Sequence, residues 1–347
     1  MINALRLIIT GSLQYLYYFI YILPIDCYFQ IKLFLKLFKE VEYKGAPDFG
    51  NKICVFCSYP TNNTISNSLK RYLQHLNQLG YSILFISNNN IINKDIEWLQ
   101  TQCTRIIIRE NFGLDFACYK TGMLKYQKQI QAADELLIAN DSVIMIKDLN
   151  PMFNEMKNKK LDFWGVTESY NGMYTDHHIC SYFISISKQI IKSKIFWNFW
   201  KDYKLTNSRV LTIDRGEILL SQTLLRAGFK LNSYMNSDNI NRFLLECKDD
   251  VWFFLRPLAK LSTSNVILEQ YRKYLYSTNH NGIFAKAMLA MGMPLIKKDL
   301  LIKCNYLLFD IQKILKKVPN LDEVINELLP LKSHSTMNNI KTSIGEK

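Results

Sequence analysis

The rhythm of apolar and polar positions changes several times along this chain, and each change marks an element. Lys52–Ser58 is a β-rich apolar run, the right length for a strand buried on both faces and short for a helix. Ile65–Leu79 carries apolar residues at helical spacing and stops at Gly80, a residue suited to the left-handed turn after a helix. Tyr81–Ser87 predicts a second strand, closed by Asn88, Asn89 and Asn90. Ile96–Gln100 reads as helix and Arg105–Ile108 as a third strand. Phe116–Tyr126 reads as helix, and Glu135–Ala139 as a fourth strand that stops at Asn140-Asp141-Ser142. This alternation predicts an α/β fold, a Rossmann-like and mostly parallel sheet with flanking helices. In such sheets ligands bind outside the carboxyl ends of the strands.

The ends of the chain have a different pattern. The apolar run Leu7–Leu23, closed by Pro24, contains Thr10, Gly11, Ser12 and Gln14 and is rich in tyrosine; a spanning helix wants about 20 predominantly apolar residues. Lys32, Lys36 and Lys39 recur at i, i+4 and i+7 among Leu and Phe, which on a helix is one basic face. That pattern is the signature of a helix lying in an anionic membrane surface; the alternative is an ordinary amphipathic helix docked on the domain. Gly45-Ala46-Pro47 reads as a linker, and Asn320–Leu331 as a short amphipathic helix. The expected organisation is a membrane-associating helical segment over 1–44, a core over 45–260, a C-terminal helical extension over 261–331 and a flexible tail over 332–347.

Composition narrows the function. The 347 residues are 48% hydrophobic, with 43 Lys and Arg against 30 Asp and Glu, a formal charge of +13. A wholly disordered chain is excluded. The basic excess suits a phosphate-rich partner: nucleic acid, an anionic membrane or a nucleotide-linked substrate. The charge is dispersed and matches no nucleic-acid module, so nucleic acid is set aside. The 8 cysteines are scattered through apolar runs, which points to buried free thiols. Cys54 and Cys57, three apart on a strand, point to opposite faces and do not share a metal.

Two strand-end clusters carry candidate chemistry. Arg109-Glu110-Asn111-Phe112-Gly113-Leu114-Asp115 runs from a strand into a helix, with Lys120 one turn further on. Gly113 permits close backbone approach, free N–H groups at a helix start favour phosphate, and Arg109 and Lys120 can add charge-assisted contacts. A plain capped turn with Asp115 as N-cap explains the same residues. The second cluster, Asn140-Asp141-Ser142, presents a carboxylate directly after a buried strand, where an Asp also serves as a cap.

Taken together these segments resemble a GT-A-type nucleotide-sugar glycosyltransferase, and more narrowly the rhamnan-synthesis F family of bacterial polysaccharide assembly. The matching pieces are Arg109-Glu-Asn-x-Gly-x-Asp115 with Tyr119-Lys120, Asn140-Asp-Ser142, Trp164-Gly165, His178-Ile-Cys-Ser-Tyr-Phe183, Gly216-Glu-Ile-Leu-Leu-Ser221 with Gly228, and Gly292-Met-Pro-Leu-Ile-Lys-Lys-Asp-Leu-Leu301. They cover about residues 50–305 in order. The resemblance implies that Ser58, Tyr59, Ser87 and Asn88 face the nucleotide, and that Arg109, Asn111, Gly113, Asp115 and Lys120 lie beside the donor sugar and diphosphate.

Asn140-Asp141-Ser142 falls where the family has a D-x-D metal motif, so Asp141 is the implied ligand of a divalent cation, Mg²⁺ or Mn²⁺. Only one of the three positions is acidic, and Arg or Lys side chains are the alternative carriers of leaving-group charge. Glu217 falls where inverting enzymes place the base for the acceptor hydroxyl, with Asp214 in reserve; a helix-starting Glu favoured by the macrodipole has the same appearance. Trp164, Asp176, His177 and His178 are expected on the acceptor side, or in a structural role, while Trp197 and Trp200 read as core. The implied function is transfer of a sugar such as rhamnose from a nucleotide-sugar donor to a lipid-linked or growing surface polysaccharide at the cytoplasmic face of the inner membrane. The alternatives are a sugar-phosphate transferase of the same pathway and a non-catalytic membrane-peripheral scaffold.

Overall fold

The computed structural model describes residues 19–20, 23–35, 37–171, 174–247, 253–254, 275–276 and 279–303. At its centre, β2 (Lys52–Ser58), β3 (Tyr81–Ser87), β4 (Arg105–Arg109) and β5 (Glu135–Asn140) form a parallel block in the order β4-β3-β2-β5. Every residue of β3, and every residue of β2 after Lys52, is buried, as expected for strands covered by helices on both faces.

The sheet then continues with mixed polarity. β1 (Glu40–Lys44) adds antiparallel to β4 at one edge. Beyond β5 come β9 (Phe183–Ser187), antiparallel; β7 (Phe163–Asn171), antiparallel to β9; and β10 (Leu231–Met235), parallel to β7. β8 (Tyr174–Ile179) forms a hairpin with β7. A separate two-stranded sheet pairs β6 (Val143–Met145) with β11 (Leu295–Lys297). The fold is thus α/β with a central sheet flanked by helices, its parallel character concentrated in β2–β5.

The two faces hold two apolar clusters. Helices Asn67–Gln78, Asn93–Gln102 and Asn150–Asn158 cover one, together with Phe284, Met288, Leu289, Leu295 and Ile296 from the late segment. Helices Leu114–Lys125, Lys188–Lys192, Lys194–Asp202 and Leu219–Arg226 cover the other, with Trp197 and Trp200 in its core. Cys54 lies in the first cluster and Cys57 in the second, so the pair does point to opposite faces. Most of the described cysteines are buried and all are free thiols; Cys27 is exposed.

Three expectations about the ends change. Residues 40–44 belong to the sheet, and Gly45-Ala46-Pro47 is a strapped turn and no linker: the Gly45 and Ala46 amides donate to Thr104 O and Gln100 O. The late segment is not only helical, because β11 completes a sheet and its helices enter the core. At the N-terminus, helix Leu23–Phe34 stops before the lysine stripe is complete. Lys32 reaches inward to Glu110 at 2.5 Å, Lys39 lies beyond the helix, and Lys36 falls outside the described residues.

That helix is docked. Asp26 is buried and accepts from Thr206 Oγ1 at 2.5 Å and the Asn207 amide at 2.9 Å. Phe29 stacks on Phe112 at 4.5 Å. Its other face leaves Ile25, Tyr28 and Ile31 exposed. No helix among the described residues is long and apolar enough to cross a membrane. The expected helix Asn320–Leu331, the tail and nearly all of the run Leu7–Leu23 lie outside the described residues.

Candidate functional site

From β2 the chain winds outward through β3 and β4, then returns to place β5 on the other side of β2. The connections leaving the carboxyl ends of β2 and β5 therefore diverge and open a crevice, the usual ligand position in such sheets. A cleft of about 760 Å³ lies there, lined from β2 by Cys57 and Tyr59, from β3 by Asn88, from the loop after β4 by Asn111, Leu114 and Asp115, and from β5 by Asn140, Asp141 and Ser142. The second half of the chain closes it with His178, Ser181, Tyr182, Arg209, Glu217, Lys297 and Asp299.

Asp141 is held by neighbours from the adjacent strand end. Its Oδ2 accepts from Ser58 Oγ at 2.8 Å and from the Tyr59 amide at 3.0 Å, and its own amide donates to Cys57 O. Ser58 is thus a buried support for Asp141 and lies beneath the cleft lining. Asn140 donates through Nδ2 to Asp115 Oδ2 at 3.2 Å, while its Oδ1 accepts from the Ser142 amide and hydroxyl. Asp115 accepts from the Phe116 amide at 3.0 Å. Burial first, and the nearby Glu217 carboxylate second, push Asp115 up to about 6.

The loop before Asp115 is braced and strained. Gly113 and Leu114 both sit in the left-handed region, at φ 85° and 54°. Gly113 takes that conformation freely, while Leu114 bears a cost of about 1–2 kcal/mol. The bracing comes from below. Arg109 is buried and donates to Asn88 Oδ1 at 2.6 Å and to Phe112 O at 2.9 Å, and Asn88 in turn donates to Leu114 O. Arg109 therefore shapes the loop and is not among the residues lining the cleft. The Gly113 amide is taken by Asn207 Oδ1 at 2.8 Å, and is not the free phosphate donor expected. The helix N-cap is Gly113, and Asp115 sits in the first turn.

Glu217 comes from a π-helical turn, Ile213–Ile218, ahead of helix Leu219–Arg226; such turns recur at functional sites. A Cβ on Gly216 would meet the Phe116 ring at 2.9 Å, so only glycine lets this turn press against the helix that carries Asp115. Glu217 Oε2 accepts from the Ser181 amide at 2.9 Å, and Ser181 O accepts from the Tyr119 hydroxyl. The helix behind is pinned to β8 by Ser221 Oγ, which accepts from the Ile179 amide, and by Gln222, which donates to His177 O.

Several expected site residues lie elsewhere. Ser87 is buried and donates to Asn89 O. Lys120 donates to the carbonyls of Lys201 and Tyr203 in a separate groove of about 900 Å³. Trp164 is buried against Phe153 and Phe183 near the amino ends of β2 and β5, away from the cleft; its ring is core, not acceptor platform. Asp214 is exposed and outside the cleft lining. Asp176 lies on β8, its side chain outside the described residues.

His178 lines the cleft, whereas His177 turns away to Glu168 at 3.0 Å and stacks on Tyr170. Glu168 is a buried hub that also accepts from the Ser237 amide and hydroxyl and from Ser233 Oγ. Burial alone would raise its pKa. The His177 hydrogen bond and charge, His280 and the Ser237 amide outweigh it and hold Glu168 at about 2.

The residues missed at the sequence level are Arg209 and Tyr170. Their signal is only spatial, since they arrive from distant segments. Tyr182, Lys297 and Asp299 were legible only as parts of longer matches.

The donor set does not fit a protein-held metal ion. Among the described residues no group of three or more His, Cys, Asp or Glu is arranged to hold one. The neighbour of Asp141 is the amide of Asn140, already committed to Asp115 and Ser142.

Comparison with known proteins adds the family. The model of rhamnan synthesis protein F (RgpF) matches residues 83–302, which include nearly all of the cleft lining. Virulence protein VirA of Vibrio anguillarum is 27% identical over 271 residues, covering 72% of this chain and 79% of that protein. Protein y4gN of Sinorhizobium fredii is 27% identical over 175 residues, covering 50% of this chain and 46% of its own length; the match spans less than half of that relative. Core-mannan synthase A of Aspergillus fumigatus, in an Mn/GDP form, overlays with a TM-score of 0.29 at 10% identity over 53% of this chain and 72% of that one, a likeness too small to argue from.

Proposed function

This chain belongs to the rhamnan synthesis protein F family, and from that premise we propose that it is a glycosyltransferase that moves a sugar from a nucleoside-diphosphate donor to a saccharide hydroxyl. One observation carries the reading. The cleft at the carboxyl ends of the parallel strands joins strand-end residues Tyr59, Asn88, Asn140 and Asp141 to Glu217 from the second half. The first group suits a nucleotide and its diphosphate, and the second supplies a carboxylate base.

In the proposed reaction the Glu217 carboxylate accepts the proton of the acceptor hydroxyl. The hydroxyl oxygen forms the new bond to the anomeric carbon. The bond from that carbon to the diphosphate oxygen breaks, its electron pair leaving with the nucleoside diphosphate. Ser181, through its amide, and Tyr119, through Ser181, fix the direction of the base. Asp141, oriented by Ser58 and the Tyr59 amide, stands on the donor side.

The family description supports rhamnose as the first donor sugar to test. A lipid-linked acceptor at the cytoplasmic face of the inner membrane completes the proposal. It is supported by the outward apolar residues Ile25, Tyr28 and Ile31 of helix Leu23–Phe34, with Leu35 and Leu37 exposed just beyond it, an apolar surface suited to resting on lipid.

The test is to incubate the full chain with a panel of nucleoside-diphosphate sugars and saccharide acceptors, and to follow release of nucleoside diphosphate together with the mass of the acceptor. Glycosylated product is expected with one donor. Release of a sugar phosphate onto the acceptor, or binding of no donor, overturns the reading.

A further inference from the structure

Resting on the glycosyltransferase reading, we infer that Lys297 carries the charge of the leaving diphosphate in this cleft, in the place where a two-carboxylate motif would hold a metal ion. The inner wall is acidic: Asp115, Asp141 and Glu217 all line it. An anionic diphosphate would be repelled there without a positive partner. The described cationic residues lining the cleft are Lys297 and Arg209. Arg209 is at the exposed rim and leans toward Asp299 at 3.9 Å. Lys297 makes no ion pair among the described residues.

The position of Lys297 is built by pairing. β11 runs antiparallel to β6 with Lys297 opposite Val143, the residue directly after Asn140-Asp141-Ser142, and the Lys298 amide donates to Ser142 O at 2.9 Å. A strand from more than 150 residues away in sequence is thereby fixed beside the one carboxylate of the motif. The half-buried Lys297 side chain places its ammonium 5.2 Å from the centre of the Tyr182 ring, and its charge acts on Asp115. The ammonium is thus held over the face of a ring that itself lines the cleft.

The motif itself points the same way. Asn140 is spent on Asp115 and Ser142, and Asp141 Oδ2 on Ser58 and Tyr59, so a divalent ion would find one carboxylate oxygen from this turn. A fixed ammonium needs no such ligand set, and stabilises the charge that develops as the bond to the diphosphate breaks.

The test is calorimetric binding of UDP, GDP and dTDP to the full chain, in EDTA and again in Mg²⁺ or Mn²⁺. One diphosphate is expected to bind equally in both conditions. Lys297→Met, which keeps an unbranched apolar stem and removes the charge, is expected to weaken that binding by about tenfold to a hundredfold, the usual worth of a charged hydrogen bond. Lys297→Arg is expected to restore most of it, which shows that the strand still folds. A requirement for Mg²⁺ or Mn²⁺, or undiminished binding by Lys297→Met, overturns the inference and leaves the transferase reading standing. Failure of the wild-type chain to bind any of the three, with or without metal, overturns the transferase reading as well.

Discussion

The two halves of the sheet serve the cleft in different ways. The parallel half, β2 to β5, delivers side chains at strand ends, and the sheet order itself opens the space they face. The half built on β7 to β10 also brings strand-end residues to the cleft, Ser169 and Tyr170 from β7 and His178 from β8, but its carboxylate comes from outside the sheet. Glu217 rides on a π turn pressed against the Asp115 helix, and is aimed by the Ser181 amide. The strand-end groups of the parallel half are thus fixed by topology, and Glu217 by local packing. A change at Glu217 should disturb chemistry without disturbing donor binding.

The sharpest break of this comparison is Glu217→Gln. Loss of a positioned base costs about 10²–10⁴-fold in rate, while glutamine still accepts from the Ser181 amide. Turnover is expected to fall by that much with donor affinity unchanged, measured by steady-state kinetics beside calorimetry. An equal loss of donor affinity would mean that the halves are not separate in function.

The difference between the halves also explains what the sequence revealed. β2 and β3 are buried on both faces, so their apolar runs were visible without knowledge of the fold. β7 is buried while carrying Thr167, Glu168 and Ser169, and its polar residues satisfy one another only across distant segments. β1 is an exposed edge strand with alternating charge, and β6 and β11 have three residues each, too short for any periodic signal. Asn88, Asp115, Asn140 and Asp141 were legible as strand-end polar residues. Arg109 and Lys120 were legible as charge, but not as braces, because their carbonyl and amide partners come from loops folded over them. Trp164 misled because a tryptophan beside a glycine fits both a sugar platform and a core residue, and only burial separates the two.

A second break concerns Glu168, the hub of the second half. Glu168→Gln introduces an amide donor opposite the Ser237 and His177 donors, at a cost of about 3 kcal/mol in unfolding free energy, measurable by urea titration. The wild-type pH profile should show the same group. Its folded pKa, about 2, lies below the ordinary carboxylate value of 4.5. Its contribution is therefore complete above about 4.5 and is lost as pH falls from there through about 2. Acid unfolding of the variant should lack that part of the slope.

Asp115 has the opposite sign, and its effect is smaller. Its folded pKa of about 6 lies above the ordinary 3.8, so its ionisation weakens the folded state. The penalty is absent below about 3.8, grows as pH rises and is complete above about 6. Asp115→Asn is expected to raise stability by about 1–2 kcal/mol at pH 7 and by almost nothing at pH 3.5. The gain falls short of the full shift because Asp115 accepts through both oxygens, from the Phe116 amide and Asn140 Nδ2, and the NH2 of an asparagine must face one of those donors. A variant less stable than wild type at pH 7 would mean that the strained loop at Gly113 and Leu114 depends on the carboxylate as an acceptor more than it suffers from the charge. Such strain at a site is often offset elsewhere in the fold.

The smallest expected effect is the most useful for locating the base. Asp214 and Glu217 share the same π turn and are both carboxylates, so sequence alone makes them rivals. The turn separates them: Glu217 lines the cleft and is held by the Ser181 amide, while Asp214 is exposed and outside the lining. Asp214→Asn should therefore leave turnover within about twofold of wild type and change stability by less than about 0.5 kcal/mol, as for an ordinary surface substitution. If instead Asp214→Asn stops turnover while Glu217→Gln does not, the turn must re-form when substrate binds and present its other face. The order of these two effects, read in one assay, decides whether local packing in the second half has already set the base in place.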